Sequence, residues 1–133
     1  MKVLICDDDK CIVDEIKNNL NTFSDKHRIV FDIDLFYNGV ELLNSNISYD
    51  MAFIDIEMPL VNGLTLSAQL KKVNSNIIIF IITSHDAYLD DAMDLDVFRY
   101  LSKPIDNNRF FRALNTAINY YHSNTQIITL EYY

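Results

Sequence analysis

The chain has 133 residues, half of them hydrophobic and about a quarter charged. That length suits one domain with a real core, and the composition excludes a disordered chain. A net charge of −8 argues against the chain itself gripping nucleic acid, and two glycines leave no Gly-rich phosphate loop.

No apolar run approaches the roughly 20 residues that a membrane helix needs. Met1-Lys2 is followed by only four apolar residues before Asp7-Asp8-Asp9, too few for a signal peptide. A cytoplasmic location without membrane contact is therefore expected. Cys6 and Cys11 suit a reducing compartment and read as two small buried hydrophobes rather than as a metal site.

Lys2 to Cys6 is a short apolar run that reads as a first strand, and three aspartates end it. Ile12, Val13, Ile16, Leu20 and Phe23 recur at helical spacing, which predicts a helix over 10–23 with Asp9 as its N-cap. Ser24 to Arg28 reads as a polar turn. Ile29 to Phe36 reads as a second strand, and the alternation of Asp32 and Asp34 with Ile33 and Leu35 suggests a wetter face or a sheet edge. Asn38-Gly39 punctuates, Val40 to Asn44 reads as a short helix, and a polar loop runs on to Asp50.

Met51 to Ile54 reads as a buried third strand that delivers Asp55, with Glu57 and Met58-Pro59 just after. Pro59 cannot donate to a ladder, so the strand ends before it. Asn62-Gly63 is a turn signal, and Leu64, Leu66, Ala68, Leu70 and Val73 predict the next helix. Ile77 to Ile82 is unbroken and β-branched except for Phe80, which suits a central strand covered on both faces. Thr83-Ser84-His85 closes it. A fourth helix follows over Ala87 to Leu95, a fifth strand over Val97 to Leu101, and Ser102-Lys103-Pro104 stops that strand. Ile105 to His122 reads as a long fifth helix. Gln126 to Tyr133 looks extended and falls outside the repeat.

Strand and helix alternate five times with short connections and no hairpin turn. That pattern predicts an α/β fold, a doubly wound five-stranded parallel sheet with helices on both faces. All strand C-termini then share one rim. Asp7, Asp8, Asp9, Asp55, Thr83, Ser84 and Lys103 would meet there, where open α/β sheets place their ligands. Clustered carboxylates raise each other's pKa unless a cation compensates, and Mg²⁺ prefers oxygen ligands. A hydroxyl and an ammonium beside them would suit an incoming phosphoryl group, with a strand-end aspartate as nucleophile.

The ordered set of an acidic cluster, Asp-x-x-Met-Pro, Thr-Ser and Lys-Pro resembles the receiver domain of two-component response regulators, over residues 2 to about 122. The resemblance implies a flavodoxin-like (βα)5 domain over 1–122, with 123–133 a linker or the start of a missing output domain. It implies that Asp55 accepts phosphate from a sensor histidine kinase. It assigns Asp7 and Asp8 to an Mg²⁺ site (Mn²⁺ also fits), with Asp8 the direct ligand, completed by Asp55 and the Glu57 backbone carbonyl. Thr83 is similar to the family's switch hydroxyl, Tyr100 to its switch aromatic, and Lys103 to its phosphate-contacting lysine, with Ser84 beside the phosphate. Glu57 and His85 match positions that tune phosphate lifetime. Lys103-Pro104 matches a peptide bond that is usually cis.

Ile5-Cys-Asp-Asp-Asp9, Asp-Ile-Glu-Met-Pro and Phe98-Arg-Tyr-Leu-Ser-Lys-Pro104 resemble receivers joined to a LytTR-type DNA-binding domain. Dimerisation through the face of helix four, strand five and helix five is then expected, as is transcription control, with DNA contacted only by the missing domain. Asp94-Leu-Asp-Val-Phe98 departs from the Gly-Ala often found before the fifth strand, and Ser84 stands where many members have Ala. Two rival readings are a phosphorylation-independent partner module and a phosphatase of the haloacid dehalogenase type, which Asp-x-Glu after a strand also resembles. The second leaves the acidic triplet unexplained. Turnover of a phosphate ester would distinguish it, since a receiver is not expected to be an enzyme with a turnover substrate.

Overall fold

A computed structural model describes residues 1–84 and 97–131, with the side chains of the last helix described through residue 124. Five parallel strands, β1 (Lys2–Cys6), β2 (Asp32–Phe36), β3 (Met51–Asp55), β4 (Ile78–Thr83) and β5 (Arg99–Ser102), form one sheet in the order β2-β1-β3-β4-β5. This is the doubly wound arrangement expected. The chain leaves β1 toward β2 on one side and returns to β3 on the other, so the switch point lies between β1 and β3.

Strand alternation builds two cores. Val3, Ile5, Met51, Phe53, Phe80 and Ile82 face α1 (Lys10–His27) and the last helix, α3 (Asn107–Glu131). Leu4, Cys6, Ala52, Ile54, Ile79 and Ile81 face α2 (Gly63–Val73). Phe53 lies between Phe80 and Phe110 at ring separations of 4.7 and 5.4 Å. β2 is an edge strand, as its alternating aspartates suggested. Asp32 takes the Lys2 ammonium at 3.1 Å, and Asp34 accepts from the Tyr49 hydroxyl at 2.7 Å.

Several expectations are corrected. The polar stretch from Ser24 continues α1 through His27, and the helix stops at Arg28, which adopts the left-handed conformation (φ 55°) and donates its N–H to the Ser24 carbonyl. No glycine signals that stop. Val40–Leu42 is a single 3-10 turn rather than a helix through Asn44, and the second strand begins at Asp32, not Ile29. The segment after Gln126 is helical through Glu131 rather than extended. The β-branched Ile127-Ile128-Thr129 favours a strand only where a partner strand is at hand, and otherwise the helical ladder propagates from its own preceding turn. Cys6 is buried, but Cys11 is exposed on the outer face of α1. The expected helix over Ala87 to Leu95, and His85, lie outside the described residues. Among the described residues no helix is long and apolar enough to cross a membrane.

Candidate functional site

Sheet register sets the site. Cys6 pairs with Ile54 across β1 and β3, so the next residues along, Asp7 and Asp55, are neighbours at the strand ends. Asp7 continues the Val3, Ile5 side of its strand, Asp55 the Met51, Phe53 side, and Lys103 the Leu101 side. Three side chains of one parity thus converge at the switch point. Lys103 Nζ lies 3.0 Å from Asp7 Oδ2 and 3.4 Å from Asp55 Oδ2.

The carboxylates are placed by local backbone. Asp9 caps α1, its carboxylate accepting from Cys11 N at 2.9 Å. The same turn aims Asp9 N at Asp7 Oδ1, 2.9 Å away. Glu57 N donates to Asp55 Oδ1 at 3.3 Å. Asp7 and Asp55 are 1% and 5% exposed, whereas Asp8 is open to solvent. One carboxylate oxygen from each of Asp7, Asp8 and Asp55 lies within 4.8 Å of the others.

Two buried carboxylates side by side are electrostatically uncomfortable. Burial, and then the charge of Asp7, push the Asp55 carboxyl from 3.8 up to about 7, although Lys103 and the Glu57 N–H pull the other way. Burial likewise raises Asp7 despite the Asp9 N–H and Lys103. Burial alone would lower Lys103, but Asp7 and then Asp55 outweigh it and hold its ammonium charged. Asp7 Oδ2 is buried and accepts no aligned hydrogen bond, its compensation being the Lys103 charge. An under-satisfied anionic oxygen inside an all-oxygen donor set fits a hard cation. Donors around Mg²⁺ at about 2.1 Å lie at most about 4.2 Å apart, close to the spread found here.

The other expected residues fall around this centre. Thr83 ends β4, is 3% exposed, and accepts Lys103 N at its carbonyl at 3.0 Å. Ser84 is exposed next to it. Tyr100 on β5 is half-buried and packs against the α2-side core. The Lys103-Pro104 peptide is cis. Glu57 is exposed, with Met58, Pro59 and Asn62 around an open cleft of about 400 Å³.

Gly63 is a site residue that sequence reasoning took only as a turn. A β-carbon there would stand 2.1 Å from the Asp55 carbonyl oxygen, and Gly63 N donates to the Ile56 carbonyl at 2.9 Å. The signal was present, since the chain has only two glycines and this one follows the acidic strand end. Met58 was likewise read only as part of a motif. Its sulfur accepts from the Cys6 thiol at 3.6 Å, which ties the loop after β3 to the end of β1.

Comparison with known proteins gives a family. The family described as "Response regulator receiver domain" matches residues 3–115. The sensory transduction protein LytT of Bacillus anthracis is 31% identical over 114 residues, covering 86% of this chain and 46% of that protein. The sensory transduction protein LytR of Staphylococcus haemolyticus is 30% identical over 115 residues, covering 86% of this chain and 44% of that protein. This chain thus spans less than half the length of those relatives. Among solved structures, the response regulator TrrA of Thermotoga maritima, in complex with Mg²⁺ and BeF, superposes with a TM-score of 0.73 at 24% identity, covering 87% of this chain and 97% of that one.

Proposed function

The chain belongs to the response regulator receiver family, and from that premise we propose that Asp55 is its phosphoacceptor and a sensor histidine kinase its donor. The observation that carries this reading is the in-register pair Asp7 and Asp55 at the switch point, both held by Lys103 at 3.0 and 3.4 Å. An Asp55 carboxylate oxygen attacks phosphorus, the new O–P bond forms as the P–N bond to the donor imidazole breaks, and the product is an acyl phosphate.

Asp7, Asp8 and Asp55, with the Glu57 carbonyl, would hold Mg²⁺, which neutralises the acids and the entering phosphoryl oxygens. The Mg²⁺ in the TrrA complex supports that assignment. Lys103 already lies against Asp55 and turns to the phosphoryl group. The Thr83 hydroxyl, at the adjacent strand end, donates to another phosphoryl oxygen, with Ser84 beside it. Tyr100 then moves inward behind Thr83. The surface of β5 and α3 changes, which alters dimerisation or an output domain. Glu57 and His85 set how fast water removes the phosphate.

In this reading residues 1–122 are the receiver and the chain beyond leads toward a DNA-binding domain of the LytTR type. The names and greater length of the LytR and LytT relatives support it. Intact mass after incubation with acetyl phosphate tests the central step. One added phosphate is expected that requires both Mg²⁺ and Asp55 and is lost in Asp55→Ala. An adduct that survives Asp55→Ala would overturn the assignment, and no adduct on folded protein would favour a phosphorylation-independent partner module.

A further inference from the structure

We propose that the cleft between α1 and α3 docks an acidic segment of a partner protein, with Lys26 and Arg112 as charge anchors and Phe111 as the apolar contact. The cleft is an open groove of about 850 Å³, and no Asp or Glu lines it. That is unusual for a chain whose acids outnumber its Lys and Arg by 19 to 11. Lys26 and His27 stand on one wall and Arg112 on the other. Among the described residues, neither Lys26 nor Arg112 has a carboxylate within ion-pair distance.

Helix electrostatics explain only part of this. Lys26 and His27 occupy the last turn of α1, where cations complement the dipole. Arg112 lies in the second turn of α3, toward the helix end that disfavours cations, so the dipole gives no reason for it. The walls are also preformed. Asn19, buried on α1, donates to the side-chain Oδ1 of Asn107 at the start of α3 at 3.1 Å, and His27 stacks on buried Phe23 at 4.1 Å. Preformed walls with an aromatic floor and unpaired cations are what recognition of an acidic, part-apolar segment needs.

The occupant follows from charge density. A nucleic acid carries about one charge per 1.7 Å and would feel the net −8 of the whole chain. A short peptide brings a few carboxylates to this basic cleft and escapes that repulsion. An anionic membrane calls for an amphipathic face lying in the interface, not a cleft between two helices. Lys26 lies roughly 25 Å along α1 from Asp9, at 1.5 Å per residue, so the cleft is distinct from the acidic rim.

The test uses the full chain and a fluorescein-labelled peptide of glutamates with two leucines at helical spacing. Anisotropy is expected to show binding that weakens as salt rises. The double variant Lys26→Glu, Arg112→Glu should lose at least tenfold in affinity, and Lys26→Gln, Arg112→Gln a smaller amount. Lys26 and Arg112 are both exposed, and circular dichroism checks that each variant is folded. In amide NMR the shifts should centre on Phe23, Phe111 and Asn115. Equal affinity in the reversed variant, shifts centred elsewhere, or no binding up to millimolar peptide would overturn the proposal. So would tighter binding of a single-stranded oligonucleotide or of phosphatidylglycerol vesicles at this cleft.

Discussion

Gly63 sits so close under Asp55 that a β-carbon would come within 2.1 Å of the Asp55 carbonyl oxygen and 2.9 Å of the Ile56 Cα. Both contacts are backbone, which cannot swing aside as a side chain can. Gly63→Ala must therefore push α2 away from the strand end or shift the strand end itself. The cost expected from overpacking is about 1–3 kcal/mol. Urea unfolding would measure it. Labelling of the variant by acetyl phosphate should fall more than its loss of stability explains, because the displaced atoms carry the Asp55 side chain. Labelling at the wild-type rate would show that the close approach is only a packing contact.

The rim was legible because its chemistry sits at strand ends, where topology alone brings residues together. Asp7, Asp55 and Lys103 needed only the count of strands and the shared direction of their C-termini in a parallel sheet. What escaped reading depends on the third dimension. Arg28 ends α1 in a left-handed conformation without the glycine that usually marks such a stop. Asn19 finds Asn107, 88 residues away. Cys11 is as apolar as its neighbours, but it falls on the face of α1 opposite Val13, Ile16 and Leu20, and exposure follows from the face. The helical run past Gln126 was hidden by β-branched residues whose strand preference needs a partner.

The raised Asp55 carboxyl gives the metal-free protein a definite pH dependence. A carboxyl whose folded value lies above its unfolded one adds stability that is fully present below the unfolded value, 3.8, and is lost as pH rises through about 7. Asp55→Asn removes that loss. It should leave stability nearly unchanged near pH 4 and raise it at pH 8, by on the order of 1–3 kcal/mol. Parallel urea titrations of the two proteins in EDTA, from pH 4 to 8, would read the difference. A gap that narrows as pH rises would contradict the origin assigned to the strain. Adding Mg²⁺ should stabilise wild type most at the upper end of that range and Asp55→Asn much less.

The amide pair between α1 and α3 predicts an asymmetry. Asn19 is 9% exposed and Asn107 is solvent-exposed, so removing each leaves a different group behind. Asn107→Ala strands the buried Asn19 amide and should cost about 1–3 kcal/mol, the price of an unsatisfied polar group. Asn19→Leu removes the buried amide itself and leaves Asn107 to water, so it should cost less than that. Thermal unfolding of the two variants gives the order directly, and the reverse order would mean that Asn19 is held by something other than Asn107.

Lys103 holds two acids at once, and its removal should be felt in proportion to their charge. Lys103→Met keeps the length of the side chain but leaves Asp7 Oδ2 with neither an aligned hydrogen bond nor its ammonium 3.0 Å away. Losing one partner of a buried ion pair costs about 3–5 kcal/mol when the other remains charged. Lys103 is 19% exposed, so water moderates the loss and about 1–3 kcal/mol is expected at pH 8. Near pH 4 the acids take up protons and the penalty should shrink, which distinguishes lost charge compensation from lost packing. Saturating Mg²⁺ should restore much of the stability at pH 8, since a cation among Asp7, Asp8 and Asp55 supplies the charge that Lys103 gave. Under the proposed mechanism it should not restore labelling of Asp55, because the entering phosphoryl group would still lack an ammonium. A differential scanning calorimetry series over pH, with and without Mg²⁺, and acetyl phosphate labelling of the same variant would separate the two roles. Stability that Mg²⁺ does not recover would place the cation elsewhere than beside these acids.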